Sequence, residues 1–227
     1  RARPPGDEYR LFHAPVTKQI PVAKGRANMP KPQMPGIEGP QLVVLRHAPI
    51  AEPGRLCGRT DVAARIDPQA IEPLAERLAG IVLRGSSPAL RCRQTAQAVW
   101  GAVPALDPLL WEQNFGIHDG ADYAALPDLG VLTNEALAAH RNEDGESFAD
   151  LCTRIAPAVQ AHAARAWEAQ APVVLVAHAG VARASIALAT GAIPAALSFE
   201  ISPLSLTRLR VGPTGVFSVI AVNEVCA

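Results

Sequence analysis

The 227-residue chain has no cysteine pair at CxxC spacing, no run of eighteen apolar residues and no excess of charge of either sign. Its four cysteines, Cys57, Cys92, Cys152 and Cys226, are scattered, so neither a disulfide framework nor a zinc site is expected, and the thiols read as reduced. The missing apolar run predicts no membrane span, and the beginning lacks the basic, apolar and small-residue order of a secretory leader. Twenty-one basic against twenty-one acidic residues leave no dense basic face to neutralise phosphates, so nucleic acid is not an expected partner. The resulting expectation is a soluble, cytoplasmic protein. An organelle or a larger complex stays open, because the chain starts at Arg1 and not at a methionine, as a processed or truncated chain does.

From Gln41 onward lysine and methionine are also missing. All three lysines, both methionines and eight of the twenty-one prolines fall in residues 1–40, where seven basic residues face three acidic ones for a charge near +4. The remaining residues carry fourteen against eighteen, near −4. Proline-rich, aperiodic composition cannot form a stable helix or a central strand and favours an extended, polyproline-like path. A boundary therefore falls near Gly39 and Pro40, with an arm over 1–40 and one domain over 41–227, a size that can bury a large single core. The arm has two readings, a flexible tail or a segment that docks onto a protein partner.

What the body does contain is an alternation. QLVVLR, residues 41–46, reads as a buried strand. IDPQAIEPLAERLAGIVL reads as a helix with Asp67 as N-cap and Pro68 at its first position. A second strand is predicted over 81–86, a helix over 87–100, and a long amphipathic helix over 146–169 with Phe148, Leu151, Ile155, Val159 and His162 at three- and four-residue spacing. VVLVAH, 173–178, is continuously apolar like a strand covered on both faces, and the helix after it closes at Gly191. Strands over 205–211 and 216–222 finish the chain. This order predicts a three-layer α/β/α fold with a mostly parallel central sheet and a ligand crevice at the carboxyl ends of its strands.

Those ends are polar. The first strand delivers Arg46 and His47, the 173–178 strand delivers His178, and the stretch after the second strand delivers Arg91. Cationic groups around one point destabilise a fold unless an anion sits among them. A phosphate fits that need, because the arginine fork donates paired hydrogen bonds to its oxygens and helix N-termini, here near Ser87 and Gly180, add backbone donors.

LRHAP, SSPALRCRQTA, LLWEQNFG, GES at 145–147 and VLVAHAGVAR occur in that order and together resemble the histidine phosphatase superfamily, the phosphoglycerate-mutase-like fold. The resemblance implies a phosphohistidine enzyme without metal or cofactor, acting on a small phosphorylated substrate. His47 would be the nucleophile, Arg46, Arg91 and His178 the groups that hold the phosphoryl oxygens, and Glu112 the general acid, with Asp119 as the alternate. His47 must attack through a neutral nitrogen, so its other ring nitrogen should donate to a carbonyl or similar acceptor. Arg59, Thr60 and Ala179 are further candidates for contact with phosphate or substrate. His118 and Tyr123 are weighed as substrate-side residues or loop packing, and Arg93 as a surface or salt-bridging group.

GRLCGRTDV and the short distance from Glu112 to Glu146 look most like the small bacterial branch with α-ribazole phosphatase, which makes α-ribazole phosphate a candidate substrate. The chain departs from the family pattern at Ala48, at Pro49–Ile50 and at His118–Asp119–Gly120. Phosphomonoester hydrolysis is the expected activity. Phosphoglycerate mutase, a non-catalytic subunit docked through its arm, and a phosphatase of phosphorylated proteins are the competitors, and a homodimer is compatible with all of them.

Overall fold

Strand β1 (Gln41–Arg46) is apolar from Leu42 to Leu45 because both of its faces are covered. Leu42 and Val44 point into one core with the long helix α4 (Phe148–Ala169) and α5 (Ala179–Thr190). Val43 and Leu45 point the other way, into a core with α1 (Pro68–Leu78) and α2 (Leu90–Trp100). Each fully buried aliphatic side chain of this kind stabilises the fold by roughly 1.5–3 kcal/mol. The computed structural model describes residues 36–226. The arm expected over 1–40 falls, but for its last five residues, outside the described residues.

The sheet runs β2-β3-β1-β4-β5, with β2 at Leu83–Ser86, β3 at Val173–Ala177, β4 at Leu206–Gly212 and β5 at Gly215–Glu224. β3 pairs in parallel with both β1 and β2, whereas β4 is antiparallel to β1 and to β5, so β4 alone runs against the other four strands. With helices on both faces this is the expected three-layer α/β/α fold with a mostly parallel sheet. The two terminal strands form a hairpin across Pro213 and Thr214, since a two-residue connection joins only antiparallel neighbours.

Helix boundaries follow local chemistry. α1 begins as expected, with the Asp67 carboxylate accepting from Gln69 N at 3.0 Å and Pro68 at its first position. α2 starts three residues later than the sequence suggests. Ser87 N still donates to Val176 O at 2.9 Å, and Ala89, after Pro88, is extended. α4 begins in a capping box: Asp150 N donates to Ser147 Oγ at 3.1 Å and Ser147 N donates to Asp150 Oδ2 at 2.8 Å. α5 starts at Ala179 with His178 as its N-cap and ends at Gly191 in the left-handed conformation, φ 71°. Two short helices, α3 (Asn134–Ala139) and α6 (Ile193–Ala196), and three 3-10 turns between residues 108 and 125 complete the described chain.

Ser147→Ala removes the cap of the helix that backs the sheet. It is expected to lower stability by about 1 kcal/mol, read as a lower urea midpoint at unchanged m-value. An unchanged midpoint would show that the box contributes nothing.

Candidate active site

His47 is the first residue past β1, and its N–H extends the parallel ladder to Ala177 O at 2.9 Å. The ring is only 6 % exposed. Nδ1 lies 2.6 Å from Ala48 O, which can only accept, so Nδ1 carries the hydrogen and Nε2 keeps its lone pair. A nucleophilic role, which the family resemblance implies for His47, would need this tautomer, with Ala48 O as the acceptor. Arg91 Nε donates toward that lone pair at 3.3 Å. Burial, and then the Arg91 charge, depress the His47 pKa from the ordinary 6.5 to about 3, so the ring is neutral across the physiological range.

His178 follows β3 as His47 follows β1. It is fully buried, its Nε2 stands 2.9 Å from Ser87 Oγ, and its ring meets His47 edge-on at 5.2 Å between centroids. Burial first, and the Arg91 and His47 charges after it, push its pKa well below the ordinary value. Trp111 stacks parallel to it, at 6.4 Å and 7°, and the Arg59 guanidinium lies over the Trp111 ring at 5.6 Å.

Arg91 is enclosed completely. Besides His47, it donates to Thr60 O at 3.1 Å, Gly58 O at 2.8 Å and Cys57 O at 3.3 Å, so a buried guanidinium gathers the 57–60 loop beneath the histidine. Asp119 holds the same loop from the other side. Its carboxylate accepts from the N–H groups of Gly58, Arg59, Thr60 and Phe115 and from the Thr60 hydroxyl, the last at 2.6 Å. Burial alone would raise the Asp119 pKa, but the bonds from Thr60, Arg59 and Phe115 outweigh it and hold the group below its ordinary value. The geometry makes Asp119 a loop clamp and argues against its use as the alternate acid.

Glu112 is buried at the crevice wall. Its two carboxylate oxygens accept from Gln113 N at 3.0 Å and from Gly180 N, in the first turn of α5, at 3.1 Å. A Cβ on Gly180 would stand 2.1 Å from Glu112 Oε1, so this close approach requires glycine. The backbone around Glu112 is braced by Arg154 of α4, which donates to Trp111 O and Glu112 O, both at 3.1 Å, and forms a two-point pair with Glu146 at 2.6 and 3.0 Å. Glu146 in turn accepts from Asn114 N at 3.0 Å.

These elements enclose a crevice of about 530 Å³ whose lining includes Arg46, His47, Arg91, Glu112, Ala179 and Tyr123. His178 meets His47 edge-on and is fully buried, outside the residues that line the crevice. Arg59 and Thr60 likewise lie off it, one packed on Trp111 and the other bonded to Asp119. His118 lines a smaller cavity that adjoins the crevice across Leu56, Gln113 and Phe115. Among the described residues Arg93 makes no salt bridge, and its Nε is buried without a partner there. Arg46 donates to Ile201 O, while its buried Nε has no partner among the described residues. Burial lowers the Arg46 pKa, and the nearby Glu112 charge works against that shift.

The expected helix donors near Ser87 are not available, because Ser87 N is spent on β3 and Leu90 N, at the start of α2, donates to Asp61 at 2.6 Å. The start of α5 opens on the crevice at Ala179 and Gly180. Arg55, Arg65, Gln113 and Arg183 line it as well and were not singled out from the sequence. For Arg183 a signal existed: it stands three residues after Gly180, on the same helix face. Among the described residues no three His, Cys, Asp or Glu side chains are grouped to hold a metal ion, and no helix is long and apolar enough to cross a membrane.

The family model of the histidine phosphatase superfamily (branch 1) matches residues 42–224. Among solved structures, mycobacterial glucosyl-3-phosphoglycerate phosphatase is similar at 26 % identity and a TM-score of 0.70, covering 82 % of this chain and 99 % of that one. TTHB049 from Thermus thermophilus is 30 % identical with a TM-score of 0.53 over 80 % of this chain and 99 % of its own. YhfR of Bacillus stearothermophilus, at 22 % identity and a TM-score of 0.70 over 82 % and 97 %, shares the fold. No curated protein sequence matches the chain. A neutral, oriented histidine among arginines, in a fold shared with phosphatases and matched by the family model over nearly the whole described domain, leads to one conclusion: the chain belongs to the histidine phosphatase superfamily, branch 1, and is an enzyme of that type.

Proposed function

We propose that the protein is a phosphomonoesterase that hydrolyses a small phosphorylated metabolite through a covalent phosphohistidine at His47. The observation that carries this reading is the His47 ring itself, held by Ala48 O with its Nε2 lone pair turned to Arg91 in a crevice that also holds Arg46 and Glu112. Phosphoryl transfer asks little covalent work of a protein beyond an in-line nucleophile, and depends on cations that stabilise the equatorial oxygens.

In the first step the Nε2 lone pair forms the N–P bond as the P–O bond to the leaving group breaks, and protonated Glu112 gives its proton to the departing oxygen. In the second, the Glu112 carboxylate takes a proton from water, the water oxygen attacks phosphorus, and the N–P bond breaks to return the lone pair to His47. Arg46 and Arg91 stabilise the phosphoryl oxygens, and the Ala179 end of α5 contributes its helix N-terminus. His178, buried edge-on against His47, keeps the nucleophile in place through ring contact. A mycobacterial relative whose structure was solved with VO3, 27 % identical with a TM-score of 0.70, is described as a glucosyl-3-phosphoglycerate phosphatase, which favours hydrolysis over mutase chemistry. α-Ribazole phosphate, suggested by the GRLCGRTDV resemblance, belongs in the substrate panel.

His47→Ala is expected to abolish turnover by several orders of magnitude and to remove the acid-labile phosphoenzyme, measured by phosphate release and rapid-quench labelling. Activity surviving that change would refute the mechanism. Incubation with 3-phosphoglycerate and its bisphosphate primer should yield phosphate without isomer, and isomer without phosphate would establish the mutase instead.

Glu112→Gln should cost about 10²–10⁴ in rate on alkyl phosphates, and much less on p-nitrophenyl phosphate, whose leaving group needs no proton. Gly180→Ala should reproduce that pattern in weaker form by displacing the carboxylate. Equal losses on both substrates would exclude Glu112 as the acid.

Because burial lowers its pKa, His47 stays neutral as pH falls from 8 to 5. The unfolded chain takes up this proton below 6.5 and the folded one does not, so stability is lost progressively between 6.5 and about 3. Imidazole NMR of the free enzyme should therefore show no His47 titration above pH 5.

A further inference from the structure

The crevice carries more positive charge than one phosphoryl group can use. Its lining holds five arginines, Arg46, Arg55, Arg65, Arg91 and Arg183, against the single carboxylate of Glu112. Their donors are unequally engaged. Arg91 is turned to His47 and to three loop carbonyls. Arg55 donates to Gly120 O at 2.8 Å and pairs with Glu52 at 3.4 Å. Arg183 is anchored by Nε on Phe199 O at 2.8 Å, which leaves its two terminal nitrogens without a partner among the described residues. The Arg65 side chain has none there either, although its backbone N–H is fixed to Pro49 O at 2.7 Å, where the crevice meets a neighbouring apolar groove.

Placement separates these two arginines from the histidine. Arg183 lies one turn along α5 from Gly180, roughly 4.5 Å of helix rise. It is close enough to Arg46 that its charge helps to lower the Arg46 pKa, after burial and against the opposing pull of Glu112. Arginines this close repel one another in a half-enclosed cleft, and the arrangement is stabilised when an anion enters. A phosphoryl dianion at His47 is served by Arg46 and Arg91, and it leaves Arg183 and Arg65 unmatched.

Resting on the phosphatase reading above, we propose that the substrate carries a second acidic group, a carboxylate or a further phosphate. Arg183, together with Arg65, binds that group while the phosphoryl group sits at His47. Guanidinium forks donate two parallel hydrogen bonds to either kind of group, so both chemistries satisfy the site. On this reading α-ribazole phosphate, which has a single acidic group, is a poorer substrate than a phosphorylated sugar acid or a bisphosphate.

The test compares kcat/KM for phosphate release within three matched pairs. These are 3-phosphoglycerate with glycerol 3-phosphate, 6-phosphogluconate with glucitol 6-phosphate, and fructose 1,6-bisphosphate with fructose 6-phosphate. The first two pairs ask for a carboxylate at different reach, and the third asks for a phosphate. Wild-type enzyme is expected to favour the doubly acidic member of at least one pair by about 10- to 100-fold, the size of a charge-assisted hydrogen-bond pair. Arg183→Gln should bring that ratio to within about twofold. Arg65→Gln, at an exposed side chain without partners among the described residues, should reduce the same ratio and decides the matter if R183Q does not fold. Ratios near one in every pair, or a preference that survives both substitutions, would overturn the inference while leaving the phosphatase intact. No phosphate release from any of the six, with no phosphoenzyme, would overturn the phosphatase reading and this inference with it.

Discussion

A single buried cation organises the site. Arg91 has no access to water, and a guanidinium in that position must place its N–H groups on acceptors or destabilise the fold by several kcal/mol. It finds them in Cys57, Gly58 and Thr60 carbonyls and in Nε2 of His47. The loop between β1 and α1 is therefore shaped by the need to satisfy this charge. Asp119 completes the arrangement by accepting the N–H groups that point the other way, so that one ionic side chain holds each polarity of the same backbone. The arginine that polarises the histidine is also the one that closes the floor beneath it.

The wall that carries Glu112 obeys a similar logic at longer range. Arg154 reaches from α4 to two backbone carbonyls of the acid segment, and Glu146, its partner, accepts an N–H from the same segment. Between Trp111 and Phe115 that segment is mostly half-buried and forms neither helix nor strand, so its path rests on these polar contacts more than on apolar burial. Gly180 sets the remaining distance. Because α5 starts directly after His178, the helix that receives Glu112 on its N–H is continuous with the strand that delivers the second histidine. The Glu112 carboxylate and His178 are thus placed by one turn of backbone.

Much of this was legible in the sequence, for identifiable reasons. Apolar strands that end in Arg46, His47 and His178 declare both their burial and their exit point, because polar groups at such ends mark where the chain leaves the core. The Ser147 cap and the Gly191 stop are local events, decided by residues within one helical turn. The fold's departures from expectation are non-local. α2 starts late because Ser87 continues pairing with β3, a strand nearly ninety residues away in the chain, and that pairing takes the donors expected there for phosphate. Arg59 and Thr60 read as phosphate ligands by their neighbourhood, yet Trp111 and Asp119 claim them from distant segments. Arg183 reads from the sequence as surface charge on a helix until the crevice beside it is known. The role of Glu112 came from resemblance, and its contacts with Gly180 and the Arg154 brace were invisible without coordinates.

The strand order has a consequence for how the protein comes into being. β1 lies at the centre of the sheet, and both of its neighbours, β3 and β4, belong to the last third of the chain. During synthesis the segment Leu42–Leu45 leaves the ribosome well before either neighbour exists, with apolar residues on both faces and all its ladder hydrogen bonds unmade. Closing that gap requires contacts of high sequence separation, which makes assembly slow and leaves a sticky strand uncovered meanwhile. The proposed nucleophile is therefore attached to an aggregation-prone nascent segment, and His47 can meet His178 only after most of the polypeptide has been made.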